Sequence, residues 1–315
     1  MQRLDDFMTE ALTAYYNNND PFGIGGDFTT APEISQLFGE IIGIWAVQQW
    51  MAMHMPNTFN LIELGPGRGT LMNDLLRGTA HVRGFQDSMA IHLIETSPTL
   101  KLKQQKTLKN YEIQWHDHLS DVDNDTPCII IANEFFDALP IQQFQFQNGA
   151  WAEHFIDNGH HVWQTTFDIP QKPSIPSPQD GDILEYSSVQ QRYAQLMANY
   201  SGIFLIIDYG YTKSSYGDSL QAIHKHKPCD ITDHVGEADL TSHVDYEWLR
   251  NFFQSTTVKT QRVFLRENGI DIRFQQLDEK ALGSGYNRLI DPHQMGELFK
   301  VMEVNNFSFE DLKLS

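Results

Sequence analysis

Basic residues are scarce in this chain: 22 Lys and Arg stand against 41 Asp and Glu, a formal charge of −19. That scarcity argues against a nucleic-acid partner, because affinity for a phosphate backbone comes mostly from Lys and Arg. It leaves room for a basic protein partner without requiring one. Cysteine is scarcer still. Cys128 and Cys229 are the only two, which suggests no disulfide framework and fits a reducing compartment. Cys128 lies in an apolar run and reads as a small core residue. No apolar run approaches the roughly 18 residues of a membrane span. The start, MQRLDDFMTEAL, is acidic and mixed, unlike a signal peptide or an Arg-rich transit peptide. These absences predict a cytoplasmic protein with no membrane span. The chain shows no internal repeat and no G-x-x-x-x-G-K-[ST] phosphate loop. His54, His116, His118 and the histidines of 224–234 show no metal-ligand spacing, so no metal is expected. Oligomeric state is not legible.

The 315 residues, 41% of them hydrophobic, suffice for one large α/β domain with insertions or for two small ones. Leu4, Phe7, Met8, Leu12 and Tyr15 recur at helical spacing and predict a helix over about 3–16. NNNDPFGIGGDFTTAP (17–32) is turn-forming. Pro32 then suits the first position of a long helix with Ile34, Leu37, Phe38, Ile41, Ile42 and Trp45 on one face. From residue 59 strands and helices alternate. FNLIEL (59–64), AIHLIE (90–95), YEIQWH (111–116), CIIIANE (128–134) and GIFLIIDYG (202–210) read as strands. Gly78 suits a C-cap after the first intervening helix, and Ser97-Pro98 suits the start of the second. Such alternation means a parallel sheet with helices on both faces.

Two insertions interrupt it, at about 145–185 and 211–242. The first holds a hairpin around Asp157-Asn158-Gly159 and the proline-rich PQKPSIPSP (170–178). The second is a long polar stretch. Ser242, with Asp245 three residues on, resembles a capping box opening a helix. Asp291-Pro292 opens a last one, with Met295, Leu298, Phe299 and Met302 on one face. The expected division is an N-terminal helical cap, 1–58, and an α/β domain, 59–315.

LIELGPGRGT (61–70) carries the first chemical signal. Gly65, Gly67 and Gly69 form G-x-G-x-G, not the G-x-G-x-x-G of a dinucleotide fold. Glu63, just before the turn, would repel a pyrophosphate but suits a cation or an α-amino group. Glu95, at the end of the next strand, can accept hydrogen bonds from both hydroxyls of a ribose. A ribose-bearing cation of this kind is S-adenosylmethionine. Trp115 and His116 end the third strand, where an adenine can stack. Asn133 is placed to contact the methionine part. Asp27, Thr29 and Thr30, with Gly26 and Pro32, form a polar turn that would fold over the site. Arg68 reads as the partner of an acidic neighbour rather than as a phosphate ligand.

Longer strings extend this signal: GDFTTAPEISQLFGEIIGIW (26–45), IELGPGRGTLMNDLLR (62–77), NEFFDALPIQQF (133–144), IDYG (207–210), GEADLTSHVDY (236–246) and MGELFKV (295–301). In these blocks, which run from about residue 7 to residue 303, the chain resembles the MidA family of S-adenosylmethionine-dependent methyltransferases, related to a mitochondrial complex I assembly factor that methylates arginine. The resemblance implies a class I, Rossmann-like methyltransferase fold: a seven-stranded sheet whose last strand is antiparallel, with an N-terminal helical segment and an inserted hairpin and loop region. It implies protein-arginine methylation and, in the mitochondrial branch, a complex I subunit as substrate. The chain departs from the family in a shortened segment, ALTAYYNNND (11–20), and in the Lys and His that follow IDYG.

Methyl transfer needs the nucleophile held in line with the methyl group. A guanidinium is a poor nucleophile, its charge delocalised and its pKa above about 12. Carboxylates facing two of its nitrogens hold the charge there and free the third. Glu134 and Asp137 follow the fourth strand, at the carboxyl end where ligands sit in doubly wound sheets. By analogy with protein arginine methyltransferases, which grip their substrate with a glutamate after this strand, Glu134 is the first choice and Asp137 the second. Asp208 ends the fifth strand. His243, read as opening a helix, is placed where the dipole disfavours its charged form and would orient a carboxylate or accept a proton. Alternative readings are transfer to a small molecule and a non-catalytic assembly chaperone that binds the cofactor. A nicotinamide oxidoreductase is disfavoured by the glycine spacing and by Glu63.

Overall fold

The apolar runs become the strands of one sheet in the computed structural model, which describes residues 1–18, 30–172, 175–277 and 279–307. Strands β1 (Phe59–Leu64), β2 (Met89–Ile94), β3 (Ile113–His116), β4 (Cys128–Asn133) and β5 (Gly202–Tyr211) are mutually parallel. Every residue of β1 and β4 is buried, as a sheet covered on both faces demands. Strands β6 (Thr256–Thr260) and β7 (Phe299–Asn305) complete it, with β7 antiparallel to both β5 and β6. The order is β6-β7-β5-β4-β1-β2-β3. This is the class I methyltransferase arrangement expected from the sequence. A two-residue strand, Val244–Asp245, pairs with the end of β5.

The described chain divides into two compact units. One contains residues 30–135, 196–209 and 253–307, and with them the sheet. Its core packs Leu37, Phe38, Ile41 and Trp45 of the helix Gln36–Ala52 with Leu71 and Leu75 of the helix Thr70–Thr79, over Leu61, Ile129 and Leu205. These helices meet closely because Gly39 and Gly43 face the second one. A Cβ on Gly39 would lie 2.6 Å from Asp74 Cβ, and one on Gly43 would lie 3.0 Å from the Leu75 carbonyl oxygen. Gly78 serves the same contact. Its added Cβ would meet Glu40 Cγ at 3.2 Å, so it is a packing residue inside the helix rather than the expected C-cap.

The other unit holds the N-terminal helix Leu4–Asn18 with residues 136–195 and 210–252. A five-stranded antiparallel sheet contains the hairpin Ala150–Asp157 and His160–Thr166, turning at Asn158 and Gly159 with φ of +49° and +79°. Leu4, Phe7, Met8, Ala11 and Leu12 pack with Ile141, Ile156 and Leu240. The stretch 1–58, set apart in the sequence as one cap, is thus shared. Its first helix lies in this unit and Gln36–Ala52 lies in the other.

Three local expectations are corrected. Pro32 opens only a four-residue helix, Ala31–Ile34; Ser35 is extended and starts the long helix by accepting from Leu37 N–H. The helix near residue 246 is capped by Asp245, whose side chain accepts from Trp248 N–H, and not by Ser242. It runs only over Tyr246–Leu249, so His243 precedes it and gains no helix dipole. The last helix is Met295–Leu298 alone, and Phe299 and Met302 belong to β7. There FKVMEVN alternates faces between two neighbouring strands, and sheet burial overrides a helical spacing that straddles the junction.

Candidate active site

In the sheet-bearing unit the chain leaves β1 through Gly65, Gly67 and Gly69, all left-handed, with φ of +60°, +54° and +79°. A side chain is strained at each, and at Gly65 its Cβ would come within 2.8 Å of the Phe135 ring. Gly65 N–H donates to Ile94 O at 3.1 Å, which ties the turn to β2. Gly69 is the N-cap of the helix Thr70–Thr79. Arg68 faces Glu33 at 3.9 Å, and Thr70 Oγ1 donates to the same carboxylate at 2.5 Å. Arg68 is therefore the partner of an acid, as its reading from sequence has it.

Glu63 ends at the turn with 3% exposure. Its Oε2 is buried and has no hydrogen-bond partner among the described residues. Burial alone raises its pKa from 4.5 to about 8. A buried carboxylate without compensation is costly. A cation delivered by a ligand would supply what the protein leaves out.

Glu95 follows β2. Its Oε1 accepts from Ser97 N–H at 2.8 Å and its Oε2 from Gln104 Nε2 at 3.1 Å. Burial raises its pKa, and these hydrogen bonds oppose the rise. Gln104 is fully buried. Its Nε2 also donates to Gly67 O at 2.8 Å, and its Oε1 accepts from Trp115 Nε1 at 3.0 Å. One amide therefore joins the glycine turn, Glu95 and Trp115. Sequence reasoning missed it, although the signal was available. Gln104 sits at the four-residue spacing between Leu100 and Leu108, on the apolar stripe of its helix, where a polar residue needs a reason.

The expected adenine pair is split. Trp115 and His116 are successive in β3 and point to opposite faces. Trp115 reaches Gln104. His116 Nε2 instead lies 3.0 Å from His92 Nδ1, and His92 Nε2 bonds Asn60 Oδ1 at 3.2 Å. Burial, and then the neighbouring His116, lower the His92 pKa to about 4.

At the end of β4, Asn133 is buried, with Oδ1 lacking a partner among the described residues. Glu134 is left-handed at φ +49°, uncommon for a side chain of this kind. Its N–H donates to Ile207 O at 2.9 Å. Its Oε1 accepts from Ala31 N–H at 2.8 Å and from Asn133 Nδ2 at 3.4 Å. Thr30 is the N-cap residue of Ala31–Ile34 but makes no side-chain cap bond. The Glu134 carboxylate satisfies that helix start instead. Thr30 and Glu134 are thereby brought together, and neither partner is legible from local sequence. Asp208 is fully buried in β5, its Oδ1 accepting from Tyr209 N–H at 3.1 Å. Asp27 and Thr29 lie outside the described residues.

The remaining two candidates belong to the other unit. Asp137 is buried, and its carbonyl accepts from Ser242 N–H at 3.0 Å. His243 N–H donates to Ser219 Oγ at 2.9 Å. His243 lines a pocket of about 370 Å³ with Glu185, Tyr211, Asp218 and Ser219. Glu185 Oε1 there accepts from Gln143 Nε2, Ser219 N–H and Leu220 N–H at 2.9, 2.9 and 3.2 Å.

Comparison with known proteins gives this geometry a context. The model of a family of S-adenosyl-L-methionine-dependent methyltransferases matches residues 41–264. A Xenopus laevis protein named protein arginine methyltransferase NDUFAF7, mitochondrial, is 34% identical, with 96% of this chain and 80% of that protein covered. The Homo sapiens protein of the same name is 32% identical, covering 93% and 78%. A Burkholderia thailandensis superfamily member crystallised with S-adenosyl-homocysteine superposes with a TM-score of 0.82 at 23% identity, over 97% of this chain and 88% of that one; it shares the fold. The expected cytoplasmic location is corrected by the relatives, which are named as mitochondrial proteins.

The residues fit the cofactor of this family. The unpartnered Glu63 Oε2 suits its amino group or sulfonium, Glu95 suits its ribose, and the turn 65–69 leaves backbone open where side chains are excluded. No helix among the described residues is long and apolar enough to cross a membrane. The family match spans more than half of the chain and the relatives are more than 30% identical over nearly all of it, so the chain belongs to the family of S-adenosyl-L-methionine-dependent methyltransferases.

Proposed function

We propose that the chain methylates an arginine side chain in a protein, with Glu134 gripping the guanidinium. When bound, S-adenosylmethionine supplies an electrophilic methyl group and departs as S-adenosyl-homocysteine. The chain's own part is to hold the acceptor nitrogen in line, exclude water and keep positive charge on the two nitrogens that do not react. The acceptor nitrogen would take the methyl group and give up one proton, which is released to solvent as the product leaves. The single observation that carries the reading is the Glu134 carboxylate. It sits at the carboxyl end of β4 on a left-handed residue, anchored by Ala31 N–H at 2.8 Å. A left-handed backbone at a non-glycine residue is a form of strain that clusters at functional sites. Asp208, fully buried in the same unit, is a further carboxylate. For the cofactor we propose Glu63, Gly65, Gly67, Gly69, Glu95, Asn133 and Trp115, with Gln104 as the residue positioning Glu95 and Trp115. Thr30 stands beside Glu134, at the helix start that the Glu134 carboxylate satisfies.

The relatives' names support arginine and a protein substrate. The resemblance in the sequence points further, to a subunit of respiratory complex I. Glu134→Gln separates the two tasks of this side chain. The amide oxygen still accepts from Ala31 N–H, while the charge is lost. Methyl transfer is expected to fall about 100-fold or more with cofactor affinity kept, measured with labelled cofactor and by calorimetry. Undiminished transfer would remove Glu134 from the reaction. Mass spectrometry of methylarginine in complex I subunits, with and without the protein, tests the substrate.

A further inference from the structure

The unit that holds residues 210–252 carries a set of side chains that methyl transfer does not use. His224 ends the strand Gln221–His224. A two-residue turn follows, Lys225 and His226, with φ of +50° and +61°, and returns the chain antiparallel with His224 opposite Lys227. Farther along, His234 O accepts from both Glu237 N–H at 2.8 Å and Ala238 N–H at 2.9 Å. That turn, with His234 and Gly236 left-handed at φ of +54° and +77°, brings His234 Nδ1 to 3.9 Å from Glu237 Oε2. The His224 and His234 rings stack, centroids 4.1 Å apart and planes 11° from parallel. One donor atom from each of His224, His234 and Glu237 lies within 4.8 Å of the other two.

We propose that His224, His234 and Glu237 bind a zinc-class divalent ion. Two imidazoles are borderline donors and with one carboxylate make a set suited to Zn²⁺, whereas Mg²⁺ and Ca²⁺ take oxygen donors throughout. An ion about 2.0–2.2 Å from each donor in tetrahedral geometry holds its donors about 3.3 Å apart. The set is thus nearly assembled, and binding turns the two rings out of their stack until their nitrogens converge. His234 and Glu237 are exposed, so water completes the fourth position. The ion would clamp the strand end at His224 to the turn at His234, closing the connection 225–233 between them. Sequence spacing conceals this, because the first ligand comes from a strand end and the other two from a turn beyond a second strand.

Equilibrium dialysis and calorimetry of the full-length, tag-free, chelator-treated protein with Zn²⁺ test the proposal. One ion per chain is expected, at micromolar affinity or tighter, with no heat from Mg²⁺. His234→Ala and Glu237→Gln are each expected to weaken zinc at least tenfold. Their melting temperatures in zinc-free buffer and their S-adenosylmethionine affinity are expected to stay unchanged, because neither side chain belongs to the cofactor cluster. Absence of stoichiometric zinc, or zinc affinity in both variants equal to that of the parent protein, would overturn it.

Discussion

Two carboxylates in the same unit, Glu40 on the helix Gln36–Ala52 and Glu63 on β1, are equally buried at 3% exposure. Glu40 is enclosed by cations. Its Oε1 meets Arg77 at 3.0 Å and its Oε2 meets Arg273 at 2.7 Å. Glu63 has burial as the sole cause of its raised pKa, and its Oε2 goes without a partner among the described residues. The fold can evidently surround a buried carboxylate with cations where it needs one for structure. It does so between the helices and leaves the need unmet at the mouth of the glycine turn. The difference separates an acid that the protein itself compensates from one that it does not, which is what the cofactor role proposed for Glu63 requires.

The largest expected effect breaks the structural side of the comparison. In Arg77→Ala with Arg273→Ala, Glu40 becomes a buried, unpaired charge, and Asp74 loses its bond from Arg77 at 2.8 Å as well. Denaturant unfolding is expected to show a loss of about 3–5 kcal/mol. Adding Glu40→Gln to that double variant is expected to recover most of it. A double variant as stable as the parent would mean that Glu40 is no better compensated than Glu63.

Glu63→Gln is expected to do the reverse. Stability holds or rises, while S-adenosylmethionine affinity falls about 10- to 100-fold, the range of a lost charge-assisted hydrogen bond. The sign of its pH dependence follows from the raised pKa. The protonated form is favoured by the fold, so the stability it contributes is fully present below pH 4.5 and is lost as pH rises through about 8, by at most about 1.4 kcal/mol per pH unit. A cation binds the ionised form, so affinity is expected to climb from pH 6 to 8 by up to about tenfold per unit. In Glu63→Gln the climb should vanish. S-adenosyl-homocysteine sharpens the assignment: the same climb places the amino group against Glu63, and a flat profile places the sulfonium there. A flat profile for both ligands in the parent protein would remove Glu63 from the site.

The place of Glu63 in the strand before the turn was legible because its signals are local. A strand, an acid and three alternating glycines lie within one stretch of eleven residues, 59–69, and the strand bounds match residue for residue. The parallel strands were legible for the same reason. Glu40's two arginines were not, since Arg273 lies on a helix far along the chain. Glu134 shows the boundary within one residue. Its place after β4 was plain, but its bond to Ala31 N–H joins positions separated by 103 residues. Phe299 and Met302 misled because a short helix runs directly into a strand, and a helical period fits across that join by accident.

The smallest expected effect tests the face assignment at β3, where neighbours in sequence part company. His116→Ala removes one bond, to His92, on the face away from Glu95. S-adenosylmethionine affinity is expected to stay within about twofold, with stability lowered by about 1 kcal/mol, the net worth of a typical hydrogen bond. Trp115→Leu removes the donor that holds Gln104 Oε1 at 3.0 Å. Gln104 then has reason to turn, and both Gly67 O and Glu95 Oε2 lose their fixed partner. Affinity is expected to fall about three- to tenfold, an effect transmitted through one amide. Calorimetry on the two variants side by side decides it. Equal losses would mean that the cofactor reaches both faces of β3, and the contrast between Trp115 and His116 would fail together with the role assigned to Gln104.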